Sequence, residues 1–195
     1  MINIEECEKT DDGDLVKLSL KNQDYFYCLI SRYQKKLLRY IQRISSFSKE
    51  DAEDVLQEVF ISVYKNLNEF DNDLKFSSWI YRIAHNKTVS QWRKLSARPK
   101  TVSGDDEDNN LFEFIAGDDD IAKKLEKKCS SKRIRKIIFS LEEKYRDVLV
   151  LKFLEDKDYR EISDILKKPM GTVATLISRA KKRFIEETKR QNIDI

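Results

Sequence analysis

Breakers are scarce in this chain, which has 4 Gly and 2 Pro among 195 residues. With so little to interrupt them, and with Leu, Ile, Lys, Glu and Arg abundant, the segments read as helices and an all-α fold is expected. Histidine is scarcer still. His85 stands alone, and no His/Asp/Glu cluster accompanies it, so metal binding and acid–base work are disfavoured against packing or a DNA-facing role. No cofactor, resident metal or catalytic set is expected, and a metal-dependent nuclease finds no support. Cys7, Cys28 and Cys129 are odd in number, far apart and in no metal-ligand spacing. They read as free thiols of a cytoplasmic protein, with a redox-sensing thiol as the alternative. No segment approaches the roughly 18 apolar residues of a membrane span, and MINIEECEKTDDGD lacks a signal-peptide core. Any link to a membrane is therefore expected to come through a partner.

Charge is plentiful but unevenly placed. The formal net charge is only +3, yet residues 75–100 hold seven bases and no acid, 101–122 eight acids and no base, and 123–136 eight bases and one acid. Such alternation suggests nucleic-acid-facing surfaces on either side of an acidic tether. The expected organisation is a helical domain over 1–95, a flexible acidic linker over 96–122 and a second helical domain over 123–195. The linker's apolar island, Leu111, Phe112, Phe114 and Ile115, either docks on a partner or forms a local cluster.

Within the first domain, Phe26, Leu29, Ile30, Tyr33, Leu37, Ile41 and Ile44 form one long apolar stripe ending near Ser45. Ser48, three residues before Asp51, resembles a capping box and opens a helix whose stripe is Ala52, Leu56, Val59, Val63 and Leu67. A loop follows, then a helix from about Ser77 to Lys94 burying Ile80, Ile83 and Ala84. In the second domain Ile134, Ile137, Ile138 and Leu141 lead into Val148, Leu149, Leu151 and Leu154. Residues 159–184 then have the spacing of two helices across a tight turn. Tyr159, Ile162, Ile165 and Leu166 recur at helical steps, Pro169 stops that helix and starts the next, and Val173, Ile177, Ala180 and Phe184 form a narrow seam.

Three candidate surfaces emerge. The face opposite that seam carries Thr175, Ser178, Lys181 and Lys182, flanked by Thr172, Arg179 and Arg183, so polar groups could meet base edges while cations meet phosphates. An amphipathic hairpin with a solvated basic face is the alternative. Asp51, Asp54 and Glu58 share a helix face with Gln57 beside them; that face suits a basic protein surface, or is simply an acidic helix start favoured by the macrodipole. Phe76, Ser77, Trp79, Arg82, Asn86, Lys87, Trp92 and Arg93 interleave aromatics with polar and basic groups, the chemistry of single-strand capture. Core packing competes for Phe76, Trp79 and Trp92, and is favoured for Phe76 and Trp79.

These motifs together resemble the extracytoplasmic-function (ECF) sigma factors, two-domain bacterial transcription initiation factors. Asp51-Ala52-Glu53-Asp54-Val55-Leu56-Gln57-Glu58-Val59-Phe60 is similar to the family's core-polymerase-binding helix, and Phe76 to Arg93 to its downstream promoter segment. Leu141-Glu142-Glu143-Lys144-Tyr145-Arg146-Asp147-Val148-Leu149 and the helix-turn-helix after it resemble the domain that reads the upstream element. The resemblance implies that Asp54, Gln57 and Glu58, with Asp51 beside them, dock on the polymerase beta-prime subunit, while other contacts reach beta. It further implies that the loop near Phe70, Lys75 and Phe76 and the helix through Arg82, Asn86 and Arg93 melt and hold downstream promoter DNA. An anti-sigma factor, often membrane-bound in the family, would be a further partner. Three departures stand out: Glu142 replaces a usual proline, Lys167 a usual turn glycine, and Ala174 and Leu176 stand where lysine and arginine are common. The rival is a polymerase-independent helix-turn-helix regulator, for which the acidic face would be only solvated surface.

Overall fold

The computed structural model describes residues 4–71, 74–96 and 133–191, all of its regular elements being helical. The acidic linker, Cys129 and part of the loop after Phe70 lie outside them. The N-terminal unit comprises α1 (Ile4–Lys9), α2 (Asp12–Lys21), α3 (Phe26–Ile44), α4 (Lys49–Lys65) and α5 (Phe76–Ser96). The C-terminal unit comprises α6 (133–140), α7 (Glu143–Leu149), a π-helical turn (Val150–Leu154), α8 (Tyr159–Leu166) and α9 (Met170–Arg190).

The apolar stripe of α3 is buried at Phe26, Leu29, Tyr33, Leu37, Ile41 and Ile44, with Tyr40 fully enclosed as well. Packing against it are α4, through Ala52, Val55, Val59 and Val63, and α5, through Phe76, Trp79, Ile80 and Ala84. Leu56 and Ile83 are only half-buried, so the inner face of α4 turns through Val55. Ser48 caps α4 by accepting the Asp51 N–H at 3.0 Å, but the box is incomplete, because the Asp51 carboxylate takes the Ser48 hydroxyl, also at 3.0 Å.

The free-thiol assignment fails for two of the three cysteines. Cys7 and Cys28 form a disulfide across 21 residues of chain, with their Cα atoms 5.2 Å apart. What the linear spacing conceals is that α1 folds back on α3, where Arg32 donates to the carbonyls of Cys7 and Thr10 and pairs with Asp12 at 2.5 Å. Closing a loop of this length restricts the unfolded chain. Reducing the bond, or replacing both cysteines with serine, is therefore expected to lower stability by about 2–3 kcal/mol. Denaturant curves of oxidised, reduced and double-serine protein check this; three coincident curves would refute it.

The helix-turn-helix differs from expectation at its corner. Leu166 ends α8 because Lys167 adopts the left-handed conformation, φ 52° and ψ 46°, where glycine is usual. Ser163 holds the turn: its carbonyl accepts from the Lys167 N–H and, at 3.2 Å, from the Lys168 N–H, and its hydroxyl donates to the Lys168 carbonyl at 2.6 Å. Pro169 is then the N-cap of α9, one residue before the first helical position. Ile162, Ile165, Val173, Ile177 and Ala180 close the seam between the two helices, with Phe184 packed at its edge.

Candidate polymerase and nucleic-acid interfaces

The inward turn of Ala52, Val55, Val59 and Val63 places Asp54, Gln57 and Glu58 outward on α4, all exposed. Asp51 is half-buried by its place in the cap. Glu58 meets Lys87 of α5 at 3.5 Å, so the acidic face borders the first of the two basic surfaces.

Along α5 and the loop before it the expected downstream-DNA residues divide in two. Phe70, Phe76 and Trp79 are 8%, 3% and 8% exposed, and their rings pack at centroid distances of 5.3–5.7 Å, with Tyr33 against Phe76. Their role as stacking platforms therefore gives way to core packing, because rings this buried, set edge-on or tilted against one another, leave no open face for a base. Asn86 and Arg93 are exposed, Arg82 and Lys87 half-buried, and Trp92 is 41% exposed, the one tryptophan open to a base. Lys75 and Ser77 reach into the second domain instead. Lys75 Nζ lies 3.4 Å from Asp158 and 3.8 Å from Glu161, and Ser77 donates to Glu161 at 3.2 Å.

A polar seam runs on from those contacts between the units, and periodicity gave no signal for it. Glu155, just past the π turn, accepts from Arg43 at 2.7 Å on one oxygen and from the Tyr81 hydroxyl at 2.7 Å on the other. Arg43 also donates to the Leu154 carbonyl at 2.9 Å. Burial, then the nearby Glu155 carboxylate, raises the Tyr81 hydroxyl well above its ordinary range, keeping it a donor. Asp158 caps α8 by accepting the Glu161 N–H at 2.7 Å, which holds its carboxyl below the usual value, with Lys75 adding to the effect. Glu161 returns the cap to the Asp158 N–H through one oxygen and faces Lys75 and Ser77 through the other.

Deeper in the seam His85 Nε2 lies 3.8 Å from Asp147, and His85 Nδ1 is 3.1 Å from the Tyr40 hydroxyl. Burial lifts Asp147 to about 7 and depresses His85 to about 4. At neutral pH the imidazole is therefore neutral and the contact is no ion pair. A raised carboxyl stabilises the fold fully below its ordinary value, and that contribution is lost as pH rises through about 7; the depressed histidine acts oppositely, weakening the fold as pH falls from 6.5 towards 4. Comparing wild type with Asp147→Asn cancels the histidine's part. Between pH 5.5 and 8.5 the wild type is expected to lose about 2 kcal/mol relative to the variant. Parallel stability curves would refute the assignment.

On α9, Thr172, Thr175, Ser178, Arg179, Lys181, Lys182 and Arg183 are all exposed. Ala174 is exposed too, but Leu176 is half-buried and packs on the core. Leu176 is therefore partly a packing residue and only Ala174 is left open. Among the described residues no metal-holding group of His, Cys, Asp and Glu occurs, and no helix is long and apolar enough to cross a membrane.

The chain thus presents two helical units, one with an acidic outer face beside an aromatic-basic helix and the other ending in a helix-turn-helix, and each unit matches a model of the sigma-70 family. Residues 29–98 match the family model Sigma-70 region 2, and residues 131–184 the model Sigma-70, region 4. Over 178 residues the chain is 35% identical to the ECF RNA polymerase sigma factor SigW of Bacillus subtilis, covering 86% of this chain and 91% of that protein. It is 32% identical over 176 residues to the ECF RNA polymerase sigma-E factor of Escherichia coli K12, covering 88% and 91%. The chain belongs to the ECF sigma factors, which bind core RNA polymerase and direct promoter-specific transcription initiation. Its fold is shared with CnrH, solved in complex with the cytosolic domain of CnrY, at TM-score 0.68 and 22% identity over 92% of this chain and 97% of that one. It is shared also with the sigma factor RpoE of Bartonella quintana, solved with the anti-sigma factor NepR, at TM-score 0.61 and 19% identity over 84% and 96%.

Proposed function

We propose that Asp54, Gln57 and Glu58 carry the main contact with core polymerase, on a basic surface of the beta-prime subunit, with Asp51 shaping the helix start. The observation behind this is the exposed carboxylate and amide face of α4, set opposite its buried valines. Carboxylates in that array can accept paired hydrogen bonds from arginines and would repel DNA. Lys75, Ser77, Arg82, Asn86, Lys87 and Arg93 then hold the downstream promoter element, on a helix kept rigid by Phe70, Phe76 and Trp79. The upstream element is read by α9. The protein works in the cytoplasm without catalytic chemistry of its own, and an anti-sigma factor is a further partner, as NepR is for the RpoE of Bartonella quintana. The domains act as 1–95 for polymerase and downstream DNA, 96–122 as linker and 123–195 for upstream DNA. Promoter-specific run-off transcription with purified core enzyme tests the whole; a chain that binds promoters but never initiates would instead be an ordinary helix-turn-helix regulator.

Reading on α9 rests on Thr175, Ser178 and Arg179, since the exposed Ala174 offers a methyl and no hydrogen bond, while Lys181, Lys182 and Arg183 meet phosphates. Selection from randomised upstream elements should return an A·T-rich motif. Arg179→Ala should remove any guanine preference, about 1–3 kcal/mol for a bidentate pair. A motif rich in guanines that survives Arg179→Ala would overturn this assignment.

A further inference from the structure

We propose that Glu155, Asp158 and Glu161 of the second domain act as an internal substitute for DNA phosphate, closing the downstream-promoter surface of the free protein until DNA displaces them. The inference rests on the reading that Lys75 and Ser77 touch that DNA.

The chemistry of the seam carries it. Arg43, Lys75, Ser77 and Tyr81 present a guanidinium, an ammonium and two hydroxyls along one side, the donors that a nucleic-acid backbone would use. Each meets a carboxylate from beyond the linker. Arg43 and Tyr81 take the two oxygens of Glu155, at 2.7 Å each, while Lys75 and Ser77 take Asp158 and the outward oxygen of Glu161. The arrangement is graded. Glu155 is 6% exposed and held from two sides, whereas the Lys75–Asp158 pair is 65% and 55% exposed. An exposed pair contributes little and is screened by salt, so the outer contacts open first, at Lys75 and Ser77, where DNA would enter. Beneath them α8 packs along α5, which keeps the acidic edge in register. Because α8 also leads the helix-turn-helix, opening would free the second domain to reach its own DNA element. The carboxylates that shield the promoter surface thus stand at the end of the π turn and on α8.

Two measurements on the full chain decide it. A zero-length carbodiimide cross-linker should join Lys75 to Asp158 or Glu161 in the free wild type, since Lys75 Nζ and Asp158 lie 3.4 Å apart. A fluorescein-labelled random single-stranded DNA 15-mer should suppress that cross-link as it saturates the protein. Glu155→Gln with Asp158→Asn keeps shape and cap while removing two of the three charges, and should raise affinity for the same 15-mer at 50 mM salt roughly five- to tenfold. A charge-matched control, Asp14→Asn with Glu50→Gln, should change it less than twofold. A cross-link indifferent to saturating DNA, or an equal gain in latch variant and control, overturns the proposal. Transcription separates the two levels of inference. A latch variant that initiates with core enzyme as wild type does, yet gains no DNA affinity, refutes the latch alone; a wild type that never initiates removes the functional reading and the latch with it.

Discussion

Replacing Asp54 and Glu58 with lysine is expected to abolish binding to core polymerase and to leave the fold in place. Both side chains are exposed on α4, opposite Ala52, Val55, Val59 and Val63, so neither contributes to the core. Exposed substitutions of this kind stay within about 0.5 kcal/mol, and lysine is at least as good a helix former as aspartate. Within the protein the change turns the pairing of Glu58 with half-buried Lys87, at 3.5 Å on the solvent side of α4 and α5, into a repulsion that solvent screens, so it holds little of the fold. Against a basic partner the change is far larger, because two attractive contacts become two repulsions. Like charges facing each other cost several kcal/mol, and each 1.4 kcal/mol is a factor of ten, so at least a hundredfold weakening is expected. Fluorescence titration of labelled protein with core enzyme, beside a denaturant curve, reads both sides of this expectation. Unchanged affinity would move the polymerase contact elsewhere on the molecule.

Ile177→Ala is expected to cost the DNA-reading unit a large part of its stability. Ile177 is 1% exposed and sits between α8 and α9, with Ile162, Ile165 and Val173 also buried in the seam. Truncating a fully buried isoleucine removes its transfer free energy and leaves a cavity, together about 2–5 kcal/mol. A small helical unit has little stability in reserve, so the orientation of α9 and binding to the upstream element should fail together. Urea unfolding by circular dichroism and upstream-duplex binding are the readouts. Leu176→Ala, at a half-buried neighbour, supplies the comparison and should cost distinctly less. Equal costs at the two positions would mean that the seam does not carry the unit.

The local parts of this molecule were legible because they are written in short spacings. The stripe from Phe26 to Ile44, the Ser48 cap, the acidic face of α4 and the seam from Val173 to Ala180 each depend on residues three or four apart. What escaped depends on pairs far apart in the chain. The Cys7–Cys28 bond needs α1 folded back on α3, and Glu155 looks like an ordinary loop acid until Arg43 and Tyr81 reach it. Asp147 sits among charged neighbours in sequence, and it is chiefly its burial beside His85 of α5, with the Glu143 carboxylate adding to it, that raises its carboxyl. The aromatic segment illustrates an intermediate case. Its periodicity was compatible with either stacking or packing, and the cluster of Phe70, Phe76 and Trp79 settles those three as core. The corner at Lys167 was legible as a departure, but not the Ser163 bonds that hold it.

The bond between Arg43 and Glu155 spans 112 residues of chain, which gives the seam a place in time. Domains fold as they leave the ribosome, at about 5–20 residues per second. On that clock α3 emerges roughly 6–20 s ahead of its acidic counterpart, whereas helices and their neighbours organise in far less than a second. The newborn first domain therefore passes through a window in which Arg43, Lys75, Ser77 and Tyr81 are uncovered, whatever state the finished protein later prefers. Each molecule therefore begins its life with this seam open.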